Sequence, residues 1–229
     1  MEEPVFDKYA DTYDSWFKTP LGKKVYVIEK RCVEELIPDG RGKRALDLGI
    51  GTGLFTLLLK EKGFDVVGVD ISEKMMEVAR KRGFKTIKHD FNYPLPFEDE
   101  EFDFIFSMTA IEFLRNPKNL VEESFRVLKK GGEFLLVALN SLSLWAFIRR
   151  INGVFKKEYV FKKAKFYSPN ALERLFGDGW KIVVKKTCMF LPPWNTNNIN
   201  FWERGFKKIF KNSGALSIIL AKKEVTHGD

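Results

Sequence analysis

Residues 44–53, Arg44-Ala45-Leu46-Asp47-Leu48-Gly49-Ile50-Gly51-Thr52-Gly53, carry an apolar run straight into a glycine turn. Gly49, Gly51 and Gly53 permit positive φ and remove the Cβ atoms that would hold a ligand off the backbone. Leu54 to Lys60 then read as a helix start, whose free N–H groups point at whatever lies in the turn. The spacing is G-x-G-x-G, and the sixth position, where a dinucleotide fingerprint wants Gly or Ala, is Leu54. NAD is therefore not the first choice. Nineteen residues after Gly51, Asp70 ends a second apolar run, Asp65-Val66-Val67-Gly68-Val69-Asp70. An acid there can accept hydrogen bonds from both hydroxyls of a ribose. Glycines alone signal only a turn, but glycines with this acid point to a nucleoside cofactor.

Outward from this stretch the chain alternates strands and helices, the pattern of a doubly wound α/β sheet. Strands are predicted near 44–49, 65–70, 84–89, 102–107, 132–139, 181–189 and 215–222, and helices near 22–37, 53–62, 72–82, 117–128, 168–176 and 201–211. Ser72 before Met75, Met76 and Ala79 supplies an N-cap and helical apolar spacing, and Ser168-Pro169 does the same with proline at the first helical position. In such a sheet, ligands sit beyond the carboxyl ends of the strands at the switch point of strand order, so the loops after Leu48, Val69, Lys88 and Phe106 converge.

Five blocks in order over roughly residues 40–140 resemble the class I S-adenosylmethionine-dependent methyltransferases. Leu46 to Gly53 resembles the family's first motif, Val69-Asp70-Ile71-Ser72 its ribose-binding second strand, and His89-Asp90-Phe91 its adenine-binding third. Phe102 to Ser107 resembles the fourth strand and Arg126 to Phe134 the turn into the fifth. The chain looks closest to the ubiquinone/menaquinone C-methyltransferase-like branch, with a methyltransferase type 11 domain. The resemblance implies a Rossmann-like sheet of seven strands in the order 3-2-1-4-5-7-6, the last antiparallel, with Gly214 to Ala221 as that last strand. It implies S-adenosyl-L-methionine as cofactor, S-adenosyl-L-homocysteine as product and no metal. Cofactor contacts are implied at Tyr13, Asp47, Gly49, Gly51, Gly53, Asp70, Ile71, Asp90, Phe91 and Ser107. His89 reads as structural, and Glu112-Phe113 stands where many relatives have a histidine pair, which argues against a histidine base.

Two segments lie outside this core and are expected to choose the substrate. In the first, Phe6, Tyr9, Tyr13, Trp16 and Phe17 recur at helical spacing, which reads as an amphipathic helix docking on the core. Tyr13-Asp14 resembles a family element closing over the methionine end of the cofactor, which singles out Tyr13; Trp16 is left between packing and substrate contact. The second is Ser141 to Phe166. Leu144, Ile148, Ile151 and Phe155 share a helical face widened by Trp145 and Phe147, with Arg149, Arg150, Lys156 and Lys157 at its edges. It reads as a lid over the site, with a surface touching anionic lipid as the alternative. Leu191-Pro192-Pro193-Trp194 and the Asn195–Asn200 run form a long loop expected to complete the pocket wall. Glu112 is the candidate acid-base or substrate residue, with helix capping or pairing to Arg115 or Lys118 as its structural reading.

Composition fits one domain over 1–229, made of an N-terminal helical cap (1–40), cofactor-binding core (41–140), lid insertion (141–166) and the rest of the sheet (167–229). With 45% apolar and 31% charged residues it can bury a full core without disulfides or metals. Cys32 and Cys188 stand alone in sequence and Met1-Glu2-Glu3-Pro4 lacks signal-peptide character, so the expected setting is cytoplasmic. Glutamine is absent while lysine and glutamate abound, a thermophile's bias. The net charge of +8 is spread along predicted helices, with no RNA-binding module signature, so nucleic acid is not the expected partner. The expected function is methyl transfer to a small apolar or aromatic acceptor touched by Trp16, Trp145 and Trp194. The alternatives are a tRNA or rRNA methyltransferase and a non-catalytic S-adenosylmethionine-binding protein. Sequence leaves the acceptor atom and the oligomeric state open.

Overall fold

A computed structural model describes residues 4–155, 160–194, 197–199 and 201–225. The readings placed on Met1 to Glu3, Lys156, Lys157, Asn195 and Asn200 lie outside the described residues. Strands β1 (Arg44–Leu48), β2 (Asp65–Asp70), β3 (Lys85–Lys88), β4 (Phe102–Met108), β5 (Leu128–Leu139), β6 (Trp180–Cys188) and β7 (Leu216–Lys223) form a single sheet in the order β3-β2-β1-β4-β5-β7-β6. β7 runs antiparallel to both β5 and β6, and the other pairings are parallel. β1 pairs with β2 on one side and β4 on the other, so the switch point of the strand order lies at its carboxyl end, where Asp47 and the glycine turn stand.

Side-chain alternation assigns the helices to two faces. Ala45, Val66, Phe104 and Leu135 point to one side, where α2 (Pro20–Glu34), α3 (Leu57–Glu61) and α4 (Glu73–Lys81) cover them. Leu46, Val67, Ile105 and Leu136 point to the other, beneath α5 (Pro117–Val127) and α7 (Pro169–Glu173). Buried on both faces, the central strands read as continuous apolar runs. Helix starts follow local chemistry. The Oγ1 of Thr19 accepts from Gly22 N at 3.0 Å before α2, and the Oγ of Ser72 accepts from Met75 N at 3.2 Å before α4. Ser168 caps α7 in the same way, with Pro169 in the first turn.

Three helical expectations are corrected. The stretch from Phe6 to Phe17 is a 3-10 turn (Asp7–Tyr9) followed by the one-turn helix α1 (Tyr13–Trp16), because its acids tie it down between them. Ser72 donates to Asp7, while Thr52 Oγ1 donates to Asp14 at 2.8 Å and Arg82 pairs with the same carboxylate. Helix α3 starts at Leu57 instead of Leu54, since residues 51–56 continue as turns and Thr56 turns its hydroxyl onto the buried Asp47 at 2.6 Å. The predicted helix over 201–211 is a π-helical turn (Phe201–Phe206) and the three-residue α8 (Lys207–Ile209). α6 (Leu144–Phe155) forms where a lid was expected. Cys32 and Cys188, isolated in sequence, meet in the fold, where burial and the neighbouring thiol push Cys188 up. Among the described residues no helix is long and apolar enough to cross a membrane.

Candidate active site

The glycine turn takes the backbone geometry its sequence requires. Gly49 sits at φ +89°, and a Cβ there would stand 2.4 Å from the Cβ of Ala110, the residue that leads into the 3-10 turn Ile111–Phe113 after β4. Glycine lets these two loops close on one another. Gly51 N donates to Asp70 Oδ2 at 2.8 Å and Ser72 N to Asp70 Oδ1 at 2.9 Å. The Asp70 carboxylate thus takes backbone donors from Gly51, Ser72 and Ile71 and keeps lone-pair capacity to spare. Burial raises the Asp70 pKa against these bonds. After β3, Asp90 Oδ1 accepts from the backbone and side-chain nitrogens of Asn92, at 2.9 and 2.7 Å. Ile71 stays exposed beside this loop.

One cavity of about 1340 Å³ joins these groups, with Tyr13, Asp47, Gly49, Gly51, Asp70, Ile71, Asp90 and Phe91 in its wall. Burial pushes Asp47 up to about 7 even though Thr56 hydrogen-bonds to it. The phenol of Tyr13 is pushed up by burial and by the nearby carboxylates of Glu29, Asp14 and Asp70. Asp14, held by Thr52 and Arg82, fixes the turn that aims Tyr13 inward. Trp16 and Trp145 line the same cavity, and the indole N–H of Trp145 donates to Leu191 O at 2.7 Å. Thr109 and Met189, in the left-handed region at φ +55° and +61°, line it too; such backbone costs about 1–3 kcal/mol and gathers at functional sites.

Four expected site residues stand elsewhere. Gly53 faces away from the cavity: its Cβ would meet the Phe84 ring at 2.9 Å, so it serves the packing of the turn on the core. Ser107 is buried and donates to Leu48 O at 2.7 Å, tying β4 to β1. Glu112 is wholly buried behind the wall, and its Oε1 accepts from Leu139 N at 2.5 Å; its part is to pin the end of β5, and burial pushes it up to about 7. Trp194 is 49% exposed and packs edge-on against Trp202 instead of entering the cavity, whose wall there is Pro193. His89 is exposed and reaches Tyr93 O at 3.4 Å, a local contact.

A family model described as a methyltransferase domain matches residues 46–136. An uncharacterised protein of Methanocaldococcus jannaschii is 45% identical over 188 residues, 81% of this chain and 85% of its own length. A demethylmenaquinone methyltransferase of Clavibacter sepedonicus is 31% identical over 171 residues, 73% of this chain and 69% of its own. The chain belongs to the class I S-adenosylmethionine-dependent methyltransferases. The fold agrees with a crystal structure of a Thermotoga maritima S-adenosylmethionine-dependent methyltransferase, named as a possible histamine N-methyltransferase. The two share 29% identity at a TM-score of 0.77, over 96% of this chain and 98% of that one.

Two residues of this methyltransferase escaped the sequence reading. Arg149, read as an edge charge, turns inward: its guanidinium lies 5.1 Å from the Trp145 ring centroid and 4.8 Å from that of Phe161. Helix α6 thus presents Trp145, Ile148, Arg149 and Asn152 to the cavity, while Leu144 (42%), Phe147 (59%) and Ile151 (40%) face solvent. The sequence grouped Leu144 and Ile151 with Ile148, and the fold parts them. Glu29 is the second, a carboxylate in the cavity wall pushed up to about 7 by burial against the lowering effect of Arg149. One signal was available: Leu21, Val25 and Glu29 recur every four residues, so the acid occupies an apolar-stripe position.

Proposed function

We propose that this methyltransferase transfers the methyl group of S-adenosylmethionine to a small acceptor with an aromatic or apolar framework. The observation that carries the reading is the single cavity running from the Asp70 and Asp90 loops to the rings of Trp16, Phe113, Trp145 and Phe161. At about 1340 Å³ it exceeds the roughly 300–1,000 Å³ of an ordinary small-ligand site, which supports room for an acceptor beside the cofactor. That room weighs against the non-catalytic reading.

The residues at the nucleoside end fit the cofactor. A Cβ on Gly51 would project into open space, meeting nothing nearer than Met75 at 3.9 Å, which leaves the backbone open to a ligand. Asp70 has acceptor capacity for both ribose hydroxyls, Asp90 for the exocyclic amine of adenine, and Ile71 offers an exposed face for the ring. Asp47 supplies a carboxyl toward the cofactor's cationic end, and Tyr13 closes over it. The cofactor brings an already activated methyl group, so the protein's task is to align acceptor and donor and exclude water.

The test is a transfer assay with methyl-labelled S-adenosylmethionine against quinone precursors, phenols, amines and unmodified tRNA. Label in a small-molecule arm is the expected result. Label confined to RNA, with binding that weakens steeply with salt, overturns the small-acceptor reading.

A further inference from the structure

The acceptor end of the cavity holds one charged group that the fold leaves unsatisfied. Glu29 stands on the α2 stripe Leu21-Val25-Glu29, all three in the cavity wall, and its carboxylate makes no hydrogen bond or ion pair among the described residues. Glu29 is half-buried in that wall, and a carboxylate partly withdrawn from water without a partner is costly, so proteins pair such groups or use them. The groups around it are Tyr13 from the N-terminal segment, Arg149 from α6, and Cys188 from β6 with Cys32 beside it. Tyr13 also feels Asp70, and all three line the same cavity. Arg149 does not discharge Glu29, since burial outweighs it and the carboxyl stays near 7. The guanidinium is occupied by the faces of Trp145 and Phe161. Aromatic rings form much of the remaining wall, Trp16, Phe17, Phe55 and Phe113 among them, and Arg115, Lys163 and Lys165 also reach the cavity. A lone carboxylate among aromatic faces is the chemistry that recognises a cationic nitrogen.

We propose that Glu29 is the acceptor-binding carboxylate of this enzyme and that the acceptor carries a basic amine on its aromatic or apolar framework. The inference rests on the small-acceptor reading above and names its substrate class. For a protonated primary amine the balance closes without a further reactant. A Glu29 Oε takes one N–H proton, and the freed lone pair forms the N–C bond to the donor methyl as the C–S pair returns to sulfur. The methylated ammonium product leaves, and Glu29 releases its proton to solvent. A carboxyl near 7 is suited to holding that proton in transit.

The experiment is calorimetry on the whole chain with S-adenosylhomocysteine bound, using 2-phenylethylamine and tryptamine against 2-phenylethanol and 3-phenylpropionate. An amine should bind at least about ten-fold tighter than the alcohol and the acid, and Glu29→Gln should erase that preference. S-adenosylhomocysteine affinity should change by less than about two-fold in the variant, and a thermal melt verifies that it folds. Three results overturn the inference while S-adenosylhomocysteine still binds: an alcohol or acid bound as tightly as the amines, a preference kept by Glu29→Gln, or no binding of either amine. Methyl transfer to non-basic acceptors alone would leave the small-acceptor reading standing and remove the amine. Transfer confined to RNA would remove both.

Discussion

The two ends of the cavity differ in what they are made of. At the end proposed for the nucleoside the wall is loop backbone and short acids, Gly49, Gly51, Asp70 and Asp90, each at or after the end of an adjacent strand of one parallel array. At the other end it is side chains, Trp16, Glu29, Phe113, Trp145, Arg149 and Met189, from elements scattered along the chain. Backbone at a strand end is positioned by the sheet itself, so the first end keeps its geometry while its neighbours vary. Side chains on a short turn, two helices and a loop are positioned by packing, so the second end can change its chemistry one residue at a time.

The contrast breaks most visibly at Asp70. Asp70→Ala removes the anchor of Gly51 N and Ser72 N as well as the acceptor offered to a ribose, so S-adenosylmethionine affinity should fall by about 3 kcal/mol, roughly a hundred-fold. Unchanged affinity by calorimetry would sink the assignment of this end.

Glu112 tests whether a residue behind the acceptor wall is structural. Burial lifts its carboxyl from 4.5 to about 7, so the native state keeps a proton that the unfolded chain gives up between those values. Its contribution to stability is fully present below about 4.5, is lost as pH rises to about 7, and then levels off. Glu112→Gln cannot titrate. Between pH 4.5 and 7 it should therefore lose about 3 kcal/mol less stability than the wild type, measured by urea unfolding, with methyl transfer retained. A variant that folds but transfers no methyl group would return Glu112 to the chemistry.

Trp145→Ala should raise the acceptor KM by about ten-fold, some 1–2 kcal/mol, and leave cofactor affinity nearly intact. If both fall together, α6 belongs to the cofactor end and the division of the cavity fails. The smallest effect is expected one face away on the same helix. Phe147 is exposed, so Phe147→Ser should change neither acceptor KM nor cofactor affinity by more than about 0.5 kcal/mol. A larger change in either would place the outer face of α6 in the site.

The sequence by itself determined the sheet and the strand-end loops of the cavity, because both are encoded locally. Apolar runs of strand length, the glycine turn and the acid ending the next strand are short-range signals, and the strand predictions fall within a few residues of β1 to β7. It also determined that Tyr13 and Trp145 belong at the cavity, through a motif and a helical face. Tertiary structure decided the rest. Periodicity tells which residues share a face but not which face the core takes, so from sequence Arg149 reads as an edge charge and Ile148 groups with Leu144 and Ile151. Proximity to a strand end does not say whether a side chain turns into the cavity or behind it, and so Glu112, Ser107 and Gly53 stand behind the wall while Glu29 lines it. That choice is made by packing between elements far apart in the chain, where a single half-buried carboxylate on α2 acquires its surroundings only from Tyr13 and Arg149 brought to it by the fold.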